Sequence, residues 1–274
     1  MAILNISRQP FSRGDEIADE IAHRLNYKLV DKSVINNKVR QFHCNFSDEL
    51  HDLADEKEPG FFKHFFRNPV VYNCLLQAIL FEEAANGDVV IKGRGGQFIL
   101  DDPFVLNLRL IAPFEMRRLQ LESQKQMNRD MAHSLLGKKD HERDNFIQYL
   151  FKRDISDASA YDIVFNHQKL SKLDIIDSIL DSVRRLDTTH VMSETDRIRY
   201  RCRALEKRVE ASIRKEFSEY VHLNVVCTSP GDVTIQGFVA DELERTSFNK
   251  LAQACNGVQH VNCELETIRL HKPK

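Results

Sequence analysis

Short apolar runs alternate with helix-patterned stretches through the first two thirds of the chain, and that alternation restricts the fold more than any other feature. AILNI near the N-terminus reads as a buried strand; after a turn, Ile17, Ala18, Ile21, Ala22 and Leu25 follow helical spacing from Gly14. YKLVD offers a second strand, and a long helix-rich, charged stretch follows. DVVIKG is a buried strand running into GRGG, FVLNLRLIAP is a strand stopped by Pro113, and YDIVFN is a short last one. LSKLDIIDSILDSVRRL carries Leu173, Ile176, Ile179, Leu180 and Val183 on one helical face. Such alternation predicts an α/β domain with a mainly parallel sheet flanked by helices. In sheets of that kind ligands bind beyond the carboxyl ends of the strands. The loops after Ile6, Val30, Ile91 and Leu110 are therefore expected to share one edge and form a candidate site.

The pattern changes at DTTHVMSETD, a polar linker with Ser193 or Thr195 as cap of the next helix. Leu205, Val209, Ile213 and Phe217 then recur every four residues. Val221, Leu223 and Val225 alternate, as do Val233, Ile235 and Val239, with SPGD as the turn between them. A helix with Phe248, Leu251, Ala252 and Cys255 ends at NG, and Val261, Cys263 and Leu265 alternate again. The result is a small α-β-β-α-β unit able to fold alone. The expected boundaries are 1–190 for the first domain, 191–203 for a linker and helix start, and 204–270 for the second domain.

Composition narrows the function classes. A net charge of -2 implies no bulk attraction to nucleic acid or to an anionic membrane. The six cysteines include no CxxC pair, which predicts reduced, structural thiols. The N-terminus lacks a secretory signal, and no apolar stretch approaches the roughly 20 residues needed to span a bilayer. A soluble cytoplasmic protein is expected. His43, Cys44, His51 and His64 lack the spacing of a metal site, so no metal centre is predicted. FFKHFF suits core packing or a partner patch. The basic residues Arg197, Arg199, Arg201, Arg203, Lys207, Arg208, Arg214 and Lys215 are interspersed with acids, as on a solvated helix.

The first strand-to-helix turn, RQPFSRGDE, raises the question of phosphate. A phosphate loop needs glycines that let backbone N–H groups approach the ligand, a helix N-terminus behind them, and usually a reaching cation. Here Gly14, the helix start, Ser12, Arg8 and Arg13 are supplied, while the other glycines and the lysine are missing. Local chemistry alone leaves an ordinary turn and a phosphate loop both open.

SRQ--S-G-EIA followed by YKLVDK is similar to the cytidylate-kinase-like family of P-loop nucleoside monophosphate kinases, which tends to open with a segment such as SRQFGSGGREIA. The likeness continues in DEKEPGFF, VVIKGRGGQFIL, LRLIAPFEMR and YDIVFNHQKLS, over about Met1 to Leu186. The resemblance implies a nucleotide or other phosphate-bearing small molecule as ligand. It places Arg8, Ser12, Arg13 and Gly14 in the phosphate loop and Asp31 at the monophosphate site. Gly93 and Arg94 would contact the acceptor phosphate. Asp140 and Arg143 look like the lid motif DxxR, with Arg153 as a further cation. Arg117 and Arg143 would carry catalysis, because phosphoryl transfer depends on positioned positive charge. Two local alternatives stand: DHERD as a solvated helix face, and Asp31 as a helix cap.

The chain departs from that pattern within the loop. Phe11 and Arg13 replace glycines and Asp15 replaces the family's cation, while Glu16 fits the family but offers no hydroxyl for magnesium. Two unit charges 4 Å apart at an effective dielectric of about 20 interact by about 4 kcal/mol. A carboxylate here would therefore oppose a triphosphate strongly. The resemblance thus implies a degenerate, ligand-binding relative with weak or lost transfer, or else an active kinase that uses ATP and Mg²⁺ on a CMP-type acceptor, with Arg13 as substitute cation. The second domain, with VTIQGFV, Gly237, and Gly257 next to Val258, resembles a BON domain, a non-catalytic binding module. This implies an unidentified macromolecular partner through residues 204–270.

Overall fold

The computed structural model describes residues 2–42, 68–217 and 222–267. His43, Cys44, His51, His64, the DEKEPGFF block, the FFKHFF run and Val221 lie outside the described residues. In chain order the elements are β1 (Ile3–Arg8), α1 (Gly14–Leu25), β2 (Lys28–Val30), α2 (Lys32–Phe42), α3 (Pro69–Asn86), β3 (Val89–Lys92) and β4 (Val105–Ile111). There follow α4 (Phe114–Lys125), α5 (Arg129–Phe151), β5 (Ile163–Asn166), α6 (Lys172–Thr189) and α7 (Glu194–Glu216). Last come β6 (Leu223–Ser229), β7 (Asp232–Val239), α8 (Glu242–Gln253) and β8 (His260–Thr267). They fall into two compact units, one of Met1–Val34 with Asn86–Met192, the other of Ile35–Ala85 with Ser193–Lys274.

In the first unit the five strands form a parallel sheet in the order β2-β3-β1-β4-β5. Strand alternation gives β1 and β4 two different faces. Leu4, Ile6, Leu106, Leu108 and Leu110 share a core with Ile17, Ala18 and Ile21 of α1 and Ile175, Ile176 and Ile179 of α6. Fully burying each such side chain is worth about 1.5–3 kcal/mol, so this face fixes the register. Leu173, expected on the apolar stripe of α6, is exposed, and Ile175 is buried instead. The other face carries Asn5, Ser7, Asn107 and Arg109, all buried, with the Asn5 amide donating to the Asn107 side-chain oxygen at 2.7 Å. Ser171 and Ser193 each close a capping box, which starts α6 and α7.

The second unit packs α7 and α8 on the sheet β6-β7-β8, with β6 antiparallel and β8 parallel to β7. Val209, Ile213, Ile235 and Phe248 are at the centre of its core. The described residues of 35–42 and 68–85 pack in this unit: the Phe81 and Tyr200 rings lie 5.6 Å apart, Lys38 pairs with Glu83 at 2.8 Å, and Arg208 with Glu82 at 2.8 Å. The basic residues of α7 are largely paired on their own helix, Arg199 with Asp196, and Lys207 and Arg214 with Glu210. No helix among the described residues is long and apolar enough to cross a membrane.

Gly237 sits in β7 at φ 148, where a Cβ would collide with the backbone oxygen of His222. Because the obstacle is backbone, relaxation is difficult. Gly237→Ala is expected to destabilise the unit by about 2 kcal/mol or more, read as a lower denaturant midpoint at unchanged slope.

Candidate functional site

The parallel register brings four loops to one edge. Ile6 pairs with Lys92, and Arg8 with Leu110, so β1, β3 and β4 end together at Gln9, Gly93 and Ala112. Val30 pairs with Ile91, adding Asp31 to the same edge. Two backbone bonds tie these ends: Gly93 N–H donates to Ile6 O at 3.0 Å, and Gln9 N–H to Leu110 O at 3.0 Å.

Within the β1–α1 loop, Phe11 at φ 58 and Arg13 at φ 59 are left-handed despite carrying side chains. Each such residue costs about 1–2 kcal/mol, so the loop holds a trace that glycines would adopt without strain. Phe11 does not fill the space over the loop. It packs beneath α4 and α5 against a cluster of Leu121, Ala132 and Leu136. Ser12 is buried, its hydroxyl donating to Gln9 O at 2.9 Å. Arg13 caps α1 only with its backbone, and its side chain is exposed.

Arg8 takes the central place. Its Cβ lies 2.5 Å from where a Cβ on Gly14 would be, and its guanidinium lies against Gly93. Glycine at both positions makes room for this one side chain. Arg8 Nε and Nη2 both donate to one carboxylate oxygen of Asp15, at 2.9 and 2.7 Å. Lys92, at the end of β3, bonds Asp19 at 2.6 Å and lies 3.9 Å from Asp15. Partial burial would raise the Asp15 carboxyl, but Arg8, with smaller help from Arg143 and Lys92, holds it below its ordinary 3.8. With a depressed folded value, the pair's stabilisation is complete above pH 3.8 and is lost as pH falls through the lower folded value.

Further charged groups come from α5, α4 and the turn after β3. Arg143 donates through Nη1 to the Arg8 backbone oxygen. Burial, then the like charges of Arg8 and Arg94, pushes Arg143 down to about 10 against the opposing pull of Asp15 and Asp140, so it stays charged at neutral pH. Arg94, left-handed at φ 64, lies 5.3 Å from the Phe146 ring centroid. Arg117, 4% exposed, is held at every donor: Nε to Ala112 O at 3.0 Å, Nη1 to Pro10 O at 3.4 Å, and a two-pronged bond to Asp140 at 2.9 and 3.0 Å. These two residues tie the lid helix to the loop.

The structure thus gathers Arg8, Gly14, Gly93, Arg94 and Arg143, with Arg117 and Asp140 as a clamp beside them. It leaves Arg153 exposed beyond the end of α5. Asp31 caps α2, accepting from Ser33 N–H at 2.9 Å, Ser33 hydroxyl at 2.6 Å and Val34 N–H at 3.1 Å. Sequence reasoning passed over Lys92 and Arg109. Their signal was a cation inside an apolar strand, alternating with leucines in the case of Arg109.

Residues 3–169 match the model described as the cytidylate kinase-like family. The chain belongs to the cytidylate kinase-like family. Residues 203–269 match the BON domain. A cytidylate kinase of Pyrobaculum islandicum is 26% identical over 187 residues, which cover 67% of this chain and 93% of that relative. An uncharacterized protein from Eubacterium ventriosum, of known structure and 18% identical, aligns over 67% of this chain and 99% of its own, with a TM-score of 0.52.

This kinase-like family generally uses ATP and Mg²⁺, and the residues present do not fit that pair. The first turn of α1 presents carboxylates, Asp15 and Glu16, where phosphate oxygens would approach. The Arg8 side chain crosses the cradle between Gly14 and Gly93.

The Arg117–Asp140 clamp has a measurable consequence. Asp140→Ala leaves a buried guanidinium without its counterion. Asp140 is partly exposed, so the loss is expected at about 2–3 kcal/mol rather than the full value for a buried pair, measured by denaturant unfolding.

Proposed function

We propose that this member of the cytidylate kinase-like family binds a phosphate-bearing small molecule, a nucleotide or a simpler phosphate ligand, with phosphoryl transfer weak or lost, and acts as a sensor or scaffold through its BON domain. The observation that carries the reading is the Arg8–Asp15 pair: the loop's own cation is bound by the loop's own carboxylate. A γ-phosphate arriving there would meet a repulsion of about 4 kcal/mol at 4 Å and an effective dielectric of about 20. Binding of a smaller anion is favoured by what lies around the pair. Arg94 and Arg143 lie at the same edge, and Arg143 has the charges of Arg8, Asp15, Arg94 and Asp140 around it. Arg117 and Asp140, spent on each other, hold the lid helix on the loop and contribute position.

The second reading, an active kinase that moves a phosphoryl group from ATP to CMP or a similar monophosphate, is favoured by the likeness to a cytidylate kinase over 93% of that relative's length. It requires Arg8 to leave Asp15 and face the phosphates.

The two readings separate in one assay. Purified full-length protein with ATP, Mg²⁺ and each nucleoside monophosphate in turn is expected to form ADP at no more than background rate. Steady turnover in the ordinary kinase range of about 1–100 s⁻¹ would overturn the reading.

A further inference from the structure

The face of the central sheet away from α1 holds a cation that neither the loop nor the lid accounts for. Arg109 of β4 is 8% exposed and pairs in register with Ser7 of β1. Its Nη1 donates to the Ser7 hydroxyl at 3.2 Å and to the Tyr161 hydroxyl at 3.1 Å, and its guanidinium carbon lies 5.4 Å from the Tyr161 ring centroid. Tyr161 is itself saturated. It donates to Ile155 O at 2.8 Å and accepts from Arg109 and from the Gln97 amide at 3.1 Å. The tyrosine therefore cannot turn away, and Arg109 is fixed by one nitrogen only.

The opposite edge of the guanidinium is the one of interest. Among the described residues no group accepts from Arg109 Nε or Nη2. The acids that respond to its charge are Asp144 of α5 and Asp154 just beyond that helix, and neither forms an ion pair with it. The hydroxyls that hold the guanidinium are neutral, and the nearby carboxylates of Asp144 and Asp154 act on it by charge without a hydrogen bond. The Nε–Nη2 edge is one that can receive a carboxylate or phosphate in two parallel bonds; in this chain Arg118 turns the same two nitrogens on a single oxygen of Glu115, at 3.0 and 2.8 Å.

We propose that Arg109, held by Ser7, Tyr161 and Gln97, anchors a second oxyanion subsite on this face of the sheet, taking a phosphate or carboxylate group two-pronged on its Nε–Nη2 edge. The subsite is pre-organised: its donor is locked before the ligand arrives, so little ordering accompanies binding. Strand alternation puts Ser7 and Arg8 on opposite faces, so this subsite and the Arg8–Asp15 loop are distinct. The inference holds whether or not phosphoryl transfer survives.

The test is calorimetric titration of the full chain with inorganic phosphate, CMP, cytidine and malonate. Wild type is expected to bind phosphate and CMP, or malonate, but not cytidine; the phosphate and malonate arms tell which oxyanion is preferred. Arg109→Lys keeps the charge and loses the fork. It is expected to weaken the preferred anion by about tenfold or more, with the ligand-free melting temperature nearly unchanged. Tyr161→Phe releases one side of the guanidinium and is expected to weaken the same anion by a smaller factor. Equal affinity in wild type and Arg109→Lys overturns the proposal, as does a wild type that binds none of the anions. Should Arg109→Lys fail to fold, Ser7→Ala with Tyr161→Phe decides: undiminished affinity in that double variant overturns it. Asp15→Asn in the same titrations, with ATP added, reports on the loop separately, so failure of either reading leaves the other identifiable.

Discussion

β1 is hydrogen-bonded on both sides, to β3 and to β4, and everything at the site follows from where it ends. The leucines and isoleucines of its apolar face allow a single register, since a slip of one residue would put Asn5 and Ser7 into the core with α1. That register brings Gln9, Gly93 and Ala112 to one edge, with Arg8 the last residue of β1 before it. Asn5 and Ser7 are sent to the other face by the same alternation, where they meet Asn107 and Arg109. One strand therefore organises both the loop and the buried polar face.

Two effects compete in the loop, and their sizes decide which matters. The Arg8–Asp15 pair is a weak latch. The Asp15 side chain is 52% exposed, and a pair that open to solvent is worth about 1 kcal/mol or less. An anion could displace it. The Asp15 charge is the larger obstacle, at about 4 kcal/mol against a phosphate 4 Å away at an effective dielectric of about 20. The left-handed Phe11 and Arg13 show that the loop still follows a glycine-like trace at a cost in strain, with Phe11 anchored under the lid helices. The loop thus has two left-handed residues, and its Arg8 is paired with Asp15.

The strands and helices of the first unit were legible because their apolar periods differ and because Pro113 and Gly14 mark boundaries. Leu173 misled because it lies in the first turn of α6, before the helix reaches its core stripe. At the site, the type of residue was readable but its partner was not. Arg117 and Asp140 read as phosphate ligands and are found bonded to each other. Asp31 read equally as ligand or cap, and its oxygens accept from Ser33 and Val34. Arg8 read as a phosphate-loop cation, because the six residues between it and Asp15 give no hint that the two side chains meet. Arg109 was overlooked inside VLNLRLI, where only the alternation of Asn107 and Arg109 with leucines signals a polar face.

The central claim is that the Asp15 charge, rather than the shape of the loop, keeps a triphosphate out. Asp15→Asn removes that charge, keeps the side chain's size and releases Arg8. Calorimetric titration of both proteins with Mg²⁺–ATP tests the claim directly. The account expects little or no binding by wild type and an affinity at least about tenfold higher for the variant. Equal affinities, or tighter binding by wild type, would contradict it.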